Sequence, residues 1–227
     1  LYPFDPDIKI IEYKLRDKGQ KHLVDLTVRE FMEETASESP APGGGSVSAC
    51  MGALGTALAT MVANLSSHKR GWDERWKEFS DWADQGKSIQ EKLLLLVDED
   101  TRAFNAIISA FRMPKGTPEE KKERDRAIQE ATVQAIRVPF QVMNTAFQGY
   151  EVAEAMVRHG NPGSVTDAGV GVIAIHAAIQ GSWLNVQINA ADLKQLPEVR
   201  EMLTSGARLM DRSQETKEGI MGLLHLE

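Results

Sequence analysis

The sequence has one cysteine, Cys50, among its 227 residues. A single cysteine excludes an internal disulfide and favours a reducing compartment, so we expect a cytoplasmic protein. Free cysteine is among the most buried residue types, and we expect Cys50 to be a small buried thiol. A reactive thiol is the alternative, but no activating residue stands beside Cys50 in the sequence.

Metal-ligand and nucleotide-binding patterns are also absent. The five histidines are scattered, and none lies three or four residues from another histidine or from the cysteine, so we predict no bound metal. A phosphate-binding loop, a dinucleotide fingerprint and a serine nucleophile elbow are missing too. His176 lies in an apolar run, and we expect it to be a hydrogen-bonded core residue.

Basic residues are in the minority, with 26 Lys and Arg against 33 Asp and Glu and a net charge of −7. This balance argues against a nucleic-acid surface, and any anionic ligand would have to meet a local basic patch. The N-terminus carries no basic stretch followed by an apolar one, so we expect no signal peptide. Because the chain begins with Leu1 and not with methionine, we expect it to be part of a longer protein.

Strand-forming runs are nearly absent, since only residues 8–13 look extended. From Leu26 onward the apolar residues recur with helical spacing, and capping boxes begin at Thr27 and Thr117. We therefore predict two parts, a tail with its linker over residues 1–25 and a helical domain over residues 26–227. The predicted fold is an all-α bundle of about six helices.

One predicted helix is exceptional, because no charged residue occurs between Glu38 and Lys69. Its length alone would allow a membrane span, but its many small and polar residues favour a core helix that is buried on all sides, and we expect no membrane partner. Large apolar residues recur at spacings of four and three: Val47, Met51, Leu54, Leu58, Met61 and Leu65. Small residues occupy another side and allow a second helix to approach closely: Ser48, Gly52, Gly55 and Ala59.

Three consecutive glycines precede this helix in the stretch SPAPGGGSVSAC, residues 39–50. They leave the helix N-terminus with exposed amides and no side-chain bulk, which suits an anion or a polar ring edge. The alternative is that they only permit a tight turn. Ser46 is either the helix N-cap or a ligand contact, and the sequence leaves both alternatives open.

Two aspartates are candidate functional acids. Asp167 stands three residues after Ser164, so the pair predicts either a helix cap or a general acid/base at the start of an apolar helix. Asp100 lies within an apolar stripe, where a carboxylate needs partners or a shifted pKa. Asp100 either makes a hydrogen bond between two helices or is a functional group of the site. Asn185 and Asn189, one turn apart in another apolar helix, likewise need polar partners.

These motifs resemble the cyclodeaminase domain of the formiminotransferase-cyclodeaminase family and its stand-alone formiminotetrahydrofolate cyclodeaminases. The resemblance runs from about Leu26 to the C-terminus, and it is carried by the segments LTVREFMEETASESPAPGGGSVSA, MVANLS, VDEDTRAFNAIISAFRMPKGTPEEK and HGNPGSVTDAGVG. The segment YPFDPDIKIIEY resembles the end of the formiminotransferase module. The resemblance therefore implies a bifunctional parent protein.

The resemblance implies an all-helical subunit that forms a homodimer or a higher assembly of dimers. The implied reaction closes 5-formiminotetrahydrofolate to 5,10-methenyltetrahydrofolate and releases ammonia, which belongs to histidine degradation and one-carbon metabolism. Asp167 matches the position of the family's catalytic acid/base. The folate is the substrate, and no cofactor is implied.

A folate needs partners for its pterin ring and for its anionic, polyglutamylated tail. The predicted substrate-binding residues are Pro42, Gly43, Gly44, Gly45, Ser46, Asp100, Lys115, Asn161, Ser164, Asn185 and Asn189. Lys69, Arg70 and Lys115 are the candidates for a basic patch that meets the tail. Two other functions fit the same fold: a methenyltetrahydrofolate cyclohydrolase, and a catalytically silent helical dimerisation module.

Overall fold

The structure is a computed structural model that describes residues 22–224. Its six α-helices are α1 Val28–Thr35, α2 Gly44–Ser67, α3 Trp76–Phe111, α4 Pro118–His159, α5 Val165–Asn189 and α6 Pro197–Met221. Short 3₁₀ turns occur at Leu23–Asp25, Asp73–Arg75 and Pro162–Ser164, and no strand occurs in the described part of the chain. The predicted all-α bundle of about six helices is confirmed. The predicted tail lies outside the described residues, except for residues 22–25.

Helix starts follow the capping signals. At α1 the Glu30 amide donates to the Thr27 hydroxyl at 3.2 Å, while the Thr27 amide donates to the Glu30 carboxylate at 2.8 Å. Thr117 and Glu120 make the same reciprocal pair at α4, at 3.1 and 3.0 Å. These bonds satisfy first-turn amides that have no intrahelical partner, and both predicted capping boxes are confirmed.

Helix α2 lies at the centre of the bundle and packs against α3, α4 and α5. Its small residues allow the close approach that the sequence predicts. A Cβ on Gly55 would stand 2.7 Å from the carbonyl oxygen of Gly171 in α5. Gly44 near the start of α2 lies beside Asn185 near the end of α5, so the two helices run antiparallel.

The prediction that α2 is buried on all sides is wrong. Leu54, Met61 and Leu65 are 60%, 38% and 46% exposed. The small side of α2 is the one that packs into the bundle, because only small residues let three helices crowd around it, and part of the large apolar side is left outside. Helix α5, which packs against α2, also has exposed apolar side chains, and we call the combined set the α2/α5 face: Leu54, Met61, Leu65, Val170, Ile173, Leu184 and Ile188.

Two segments, Gly44–Ser67 and Pro162–Asn189, are long and apolar enough to cross a membrane by length and composition. In the bundle, 61% and 50% of their most apolar windows are buried. Much of their apolar surface is therefore covered by neighbouring helices.

Helix α6 is tied to the bundle by a buried hydrogen-bond network. The Ser213 hydroxyl lies 2.9 Å from the Tyr150 hydroxyl and 2.9 Å from Nδ1 of His176. Burial raises the pKa of Tyr150 to about 12. Burial and nearby Lys217 lower the pKa of His176, against a smaller opposing effect of Glu218. The prediction that His176 is a hydrogen-bonded core residue is confirmed.

Helix α1 has no buried residue and covers an apolar cavity of about 460 Å³ against α2 and α3. Cys50 lines this cavity and is half-buried rather than fully buried, which corrects the prediction for this residue. Burial raises the pKa of its thiol, so the nucleophilic thiolate is disfavoured there.

Candidate functional site

The N-terminus of α2 is capped by a neighbouring helix. Its N-cap residue, Gly43, has no side chain to offer. Instead, the Ser46 amide donates to Oδ2 of Asp100 in α3 at 2.8 Å, and the Ser46 hydroxyl donates to the same oxygen at 3.0 Å. Ser46 is the third residue of the helix, so the N-cap alternative for Ser46 is wrong.

The glycines make room for side chains from other helices. A Cβ on Gly45 would overlap the Asp100 carboxylate, and a Cβ on Gly44 would stand 3.1 Å from Nδ2 of Asn185. Among the described glycines only Gly71 has a positive φ, so the backbone conformation of a tight turn does not require glycine here. Close approach of Asp100 and Asn185 is the physical reason for small residues at these positions.

Asp100 is a partly buried carboxylate in an interhelical contact. Burial raises its pKa, and the two hydrogen bonds from Ser46 oppose that shift. Both bonds end on Oδ2, and Oδ1 accepts no hydrogen bond from any residue between 22 and 224. Asp100 thus makes the predicted helix-to-helix bond and keeps one oxygen for another donor.

The two predicted asparagines differ in their roles. Nδ2 of Asn189 donates to the Ala135 carbonyl in α4 at 2.8 Å, which joins α5 to α4. Nδ2 of Asn185 donates to the Gly181 carbonyl of its own helix at 2.9 Å. The Asn185 side chain lies beside Gly44 at the α2 N-terminus, and its Oδ1 remains as an acceptor. We call Gly44, Gly45, Ser46, Asp100 and Asn185 the glycine mouth.

The turn before α5 forms a second group of predicted residues. The Asn161 amide donates to Oγ of Ser66 at 2.8 Å, and the Gly163 amide donates to Oδ1 of Asn161 at 3.3 Å. This turn therefore lies at the C-terminal end of α2. Ser164 is buried and is the N-cap residue of α5, but its side chain makes no capping hydrogen bond.

Asp167 is the third residue of α5 and is half-buried. Ser164 is the N-cap residue and Asp167 lies in the first turn, where the helix dipole favours an acid, but the hydrogen bond of the predicted capping pair does not form. No hydrogen bond or ion pair joins the Asp167 carboxylate to the described part of the chain. A capping hydrogen bond therefore does not account for the acid at this position, and both of its oxygens can act on a ligand.

One subunit does not bring Asp167 and the glycine mouth together. Asp167 and Asn185 are 18 residues apart in α5, which is about 27 Å along the helix axis. Lys115 follows the end of α3, which extends 11 residues past Asp100, or about 16 Å. Lys69 and Arg70 follow α2, at the end of the bundle that carries Asp167.

Sequence reasoning missed two features of the site. Thr101 contacts the mouth, with its hydroxyl 3.2 Å from that of Ser46, and nothing in the sequence distinguished it from its neighbours. The exposed α2/α5 face was visible as an apolar seam but was assigned to the core. Among residues 22–224, no three His, Cys, Asp or Glu side chains cluster closely enough to hold a metal ion.

The described residues form an all-α subunit with one group of polar residues at each end of the α2/α5 pair. A crystal structure of formiminotetrahydrofolate cyclodeaminase from Thermotoga maritima matches with a TM-score of 0.70 and 26% identity, over 87% of this chain and 93% of that one. Residues 27–207 match the profile of the family described as formiminotransferase-cyclodeaminase. The chain belongs to this family.

Two relatives of the chain are named for two different activities. Formimidoyltransferase-cyclodeaminase of Rattus norvegicus is 37% identical over 194 residues, which are 85% of this chain and 36% of that protein. Methenyltetrahydrofolate cyclohydrolase of Methylorubrum extorquens is 32% identical over 197 residues, which are 84% of this chain and 95% of that protein. The chain thus spans about a third of the bifunctional relative and nearly all of the cyclohydrolase.

Proposed function

We propose that the chain is a formiminotetrahydrofolate cyclodeaminase, an ammonia-lyase that converts 5-formiminotetrahydrofolate to 5,10-methenyltetrahydrofolate and ammonia. The observation that carries the proposal is Asp167, an acid at the start of an apolar helix whose carboxylate makes neither a capping bond nor an ion pair with residues 22–224. The identity to formimidoyltransferase-cyclodeaminases supports the same activity.

The proposed cyclisation requires little of the protein beyond proton transfer. The N10 nitrogen of the folate attacks the carbon of the protonated formimino group, an amidinium carried by N5, so the substrate itself supplies proximity. The new N10–C bond forms, N10 loses its proton, and the C–N bond to the departing amine breaks after that amine gains a proton. The Asp167 carboxylate takes the first proton and delivers the second, a role typically worth about a hundred- to ten-thousand-fold in rate.

We propose that the complete site forms between two subunits. The glycine mouth and Asp167 lie at opposite ends of the antiparallel α2/α5 pair, and the α2/α5 face between them is apolar and exposed. A two-fold axis across the middle of this face would set the mouth of one subunit beside Asp167 of its partner. Such a dimer would also bury the apolar side chains, which favours association.

A cyclohydrolase is the second candidate function. It is favoured by the alignment with the Methylorubrum extorquens enzyme, which covers nearly the full length of that protein. Hydrolysis of methenyltetrahydrofolate needs the same kind of carboxylate acting on a folate, with water as the nucleophile. The resemblance of residues 2–13 to a formiminotransferase tail supports the cyclodeaminase instead.

One assay distinguishes these functions. The protein is given 5-formiminotetrahydrofolate, and methenyltetrahydrofolate absorbance and ammonia are followed together. We expect both products in equal amounts. Methenyltetrahydrofolate is supplied in a second reaction, and its hydrolysis by a protein that does not act on 5-formiminotetrahydrofolate would instead favour the cyclohydrolase. A folded dimeric protein that acts on neither substrate would indicate a silent dimerisation module.

A further inference from the structure

An open cavity of about 540 Å³ lies between α2 and α3, and we call it the α2/α3 cavity. Its polar lining includes Asn64 in the last turn of α2, His68 directly after α2, and Lys87 and Gln90 on α3. No Asp or Glu is among the described residues that line it. The cavity therefore offers an ammonium, an imidazole and two amides, a set of groups that suits an anion which also carries an amide.

Little of this polar capacity is used within the chain. The side chains of Asn64, His68 and Gln90 make no hydrogen bond or ion pair with residues 22–224. The Lys87 ammonium lies 3.5 Å from a carboxylate oxygen of Glu91, one turn along α3, and both side chains are more than half exposed. An exposed pair of this kind is weak, so a ligand carboxylate can replace Glu91 at Lys87.

The α2/α3 cavity lies at the same level of the bundle as Asp167. On α5, a Cβ on Gly171 would stand 3.5 Å from Cβ of Leu58 in α2. Before α5, the Asn161 amide donates to Oγ of Ser66 in α2. Asp167 lies between Asn161 and Gly171, so it is level with the part of α2 that lines the cavity. Because α3 and α5 both pack on α2, the width of one helix, about 10 Å, separates Asp167 from the cavity.

The substrate of the proposed reaction has an anionic end close to its reacting atoms. In a folate, the p-aminobenzoyl group separates N10 from a glutamate, which carries carboxylates and is joined through an amide. We propose that the α2/α3 cavity binds this glutamate when N10 lies beside Asp167, with Lys87 pairing with a carboxylate while Asn64 and Gln90 bond to the amide. The inference rests on the proposed function, because it takes a folate as the ligand.

Lys87 differs from the lysines that the sequence singled out for the tail. Lys69 does not line the cavity, and its ammonium lies 4.1 Å from the centre of the Trp72 ring. Lys115 follows the far end of α3. Lys87 becomes a candidate only once α2 and α3 are seen to enclose a cavity beside it.

The role of Lys87 differs from that of Asp167. The glutamate does not change when N10 attacks the amidinium carbon, so its pairing with Lys87 is equally strong in the ground state and in the transition state. Loss of such a pairing raises KM and leaves kcat nearly unchanged. Lys87 therefore sets affinity for the glutamate, while Asp167 moves protons.

The test pairs a change in the protein with a change in the ligand. Dissociation constants for tetrahydrofolate and for tetrahydropteroylamide, which has a neutral amide in place of the glutamate, are measured by calorimetry with the wild-type chain, Lys87→Gln and Lys87→Glu. The wild type should prefer tetrahydrofolate by about 10-fold, the lower end of the range for hydrogen bonds to charged groups, because the cavity is open to solvent. In both variants we expect this preference to fall to about twofold or less, with KM raised and kcat within about twofold of the wild type.

Lys92→Glu is the matched control, because Lys92 is an exposed lysine further along α3 that does not line the cavity. It should keep the wild-type preference, and an equal loss in Lys92→Glu and Lys87→Glu would overturn the inference. An unchanged preference in the folded Lys87 variants would also overturn it, and so would a wild-type chain that converts 5-formiminotetrahydrofolate but binds both ligands equally. A preference that depends on Lys87, in a chain that converts no 5-formiminotetrahydrofolate, would support the inference and overturn the proposed function alone.

Discussion

At the scale of single residues, the proposed function depends on Asp167. Its carboxylate makes no capping bond in α5, so removing its charge should leave the folded structure intact. We expect Asp167→Asn to lower kcat by about a hundred- to ten-thousand-fold with an unchanged melting temperature. Asp192→Asn, at an exposed acid just after α5, should keep wild-type values of both. A lower melting temperature with a near-normal rate would restore the capping interpretation.

His176 predicts a dependence of stability on pH. Its pKa is lowered in the folded state, so the unfolded chain binds more protons below the ordinary histidine value of about 6.5. The stabilising contribution is complete above that pH and is lost as the pH falls through the lowered folded value. Urea unfolding between pH 7.5 and pH 5 should show this loss for the wild type and a smaller one for His176→Gln. Equal slopes for the two proteins would exclude His176 as the cause.

Residue types alone predicted some of these roles. An acid within an apolar stripe identified Asp100, and a histidine in an apolar helix identified His176 as a core residue. The role of Asp167 was ambiguous, because the spacing from Ser164 fits a cap whether or not the bond forms. That bond depends on how the turn before α5 packs on Ser66, a contact across 95 residues that local sequence does not encode.

At the scale of helices, the α2/α5 contact depends on two facing glycines. A Cβ on Gly55 or on Gly171 would stand 2.7 Å from the carbonyl oxygen of the other glycine. Relieving this overlap would require a shift of the helix backbone, which lowers stability. We expect Gly55→Ala to lower the free energy of unfolding by about 1–3 kcal/mol in urea titrations. Gly219→Ala in α6, where a Cβ would meet nothing within 4 Å, should be neutral or stabilising by up to about 1 kcal/mol. Similar effects of both changes would contradict the close contact.

Helix boundaries were predictable, but the orientation of helix faces was only partly so. The two capping boxes gave helix starts that the structure confirms, because these signals act within one turn. For α2, spacing showed which residues share a side but not which side faces inward. Both sides are apolar or small, so the choice was made by packing against three other helices.

At the scale of the whole molecule, the proposed dimer depends on the α2/α5 face. A charge in its middle should prevent association without disturbing the core, since Ile173 is 51% exposed. We expect Ile173→Glu to be a folded monomer in light scattering and to have lost most cyclodeaminase activity. Leu95→Glu, at a 65% exposed leucine on α3, should stay associated and active. An active Ile173→Glu monomer would contradict a site that is shared between subunits.

The distance between the two ends of the bundle was not predictable from the motifs. The resemblance placed Asp167 and the glycines in one site, and their separation appears only once α2 and α5 are seen to be antiparallel. A pocket shared between subunits accounts for both facts, since two-fold symmetry pairs opposite ends of the same helices.

Complementation between two inactive variants tests this account most directly. Asp167→Asn keeps the glycine mouth, and Gly44→Val, whose side chain would meet Asn185, keeps Asp167. Mixed in equal amounts and allowed to exchange subunits, they form heterodimers with one intact site, so we predict recovery of about a quarter of wild-type cyclodeaminase activity. A mixture no more active than the average of the two separate variants, with heterodimers shown to be present, would contradict the shared site.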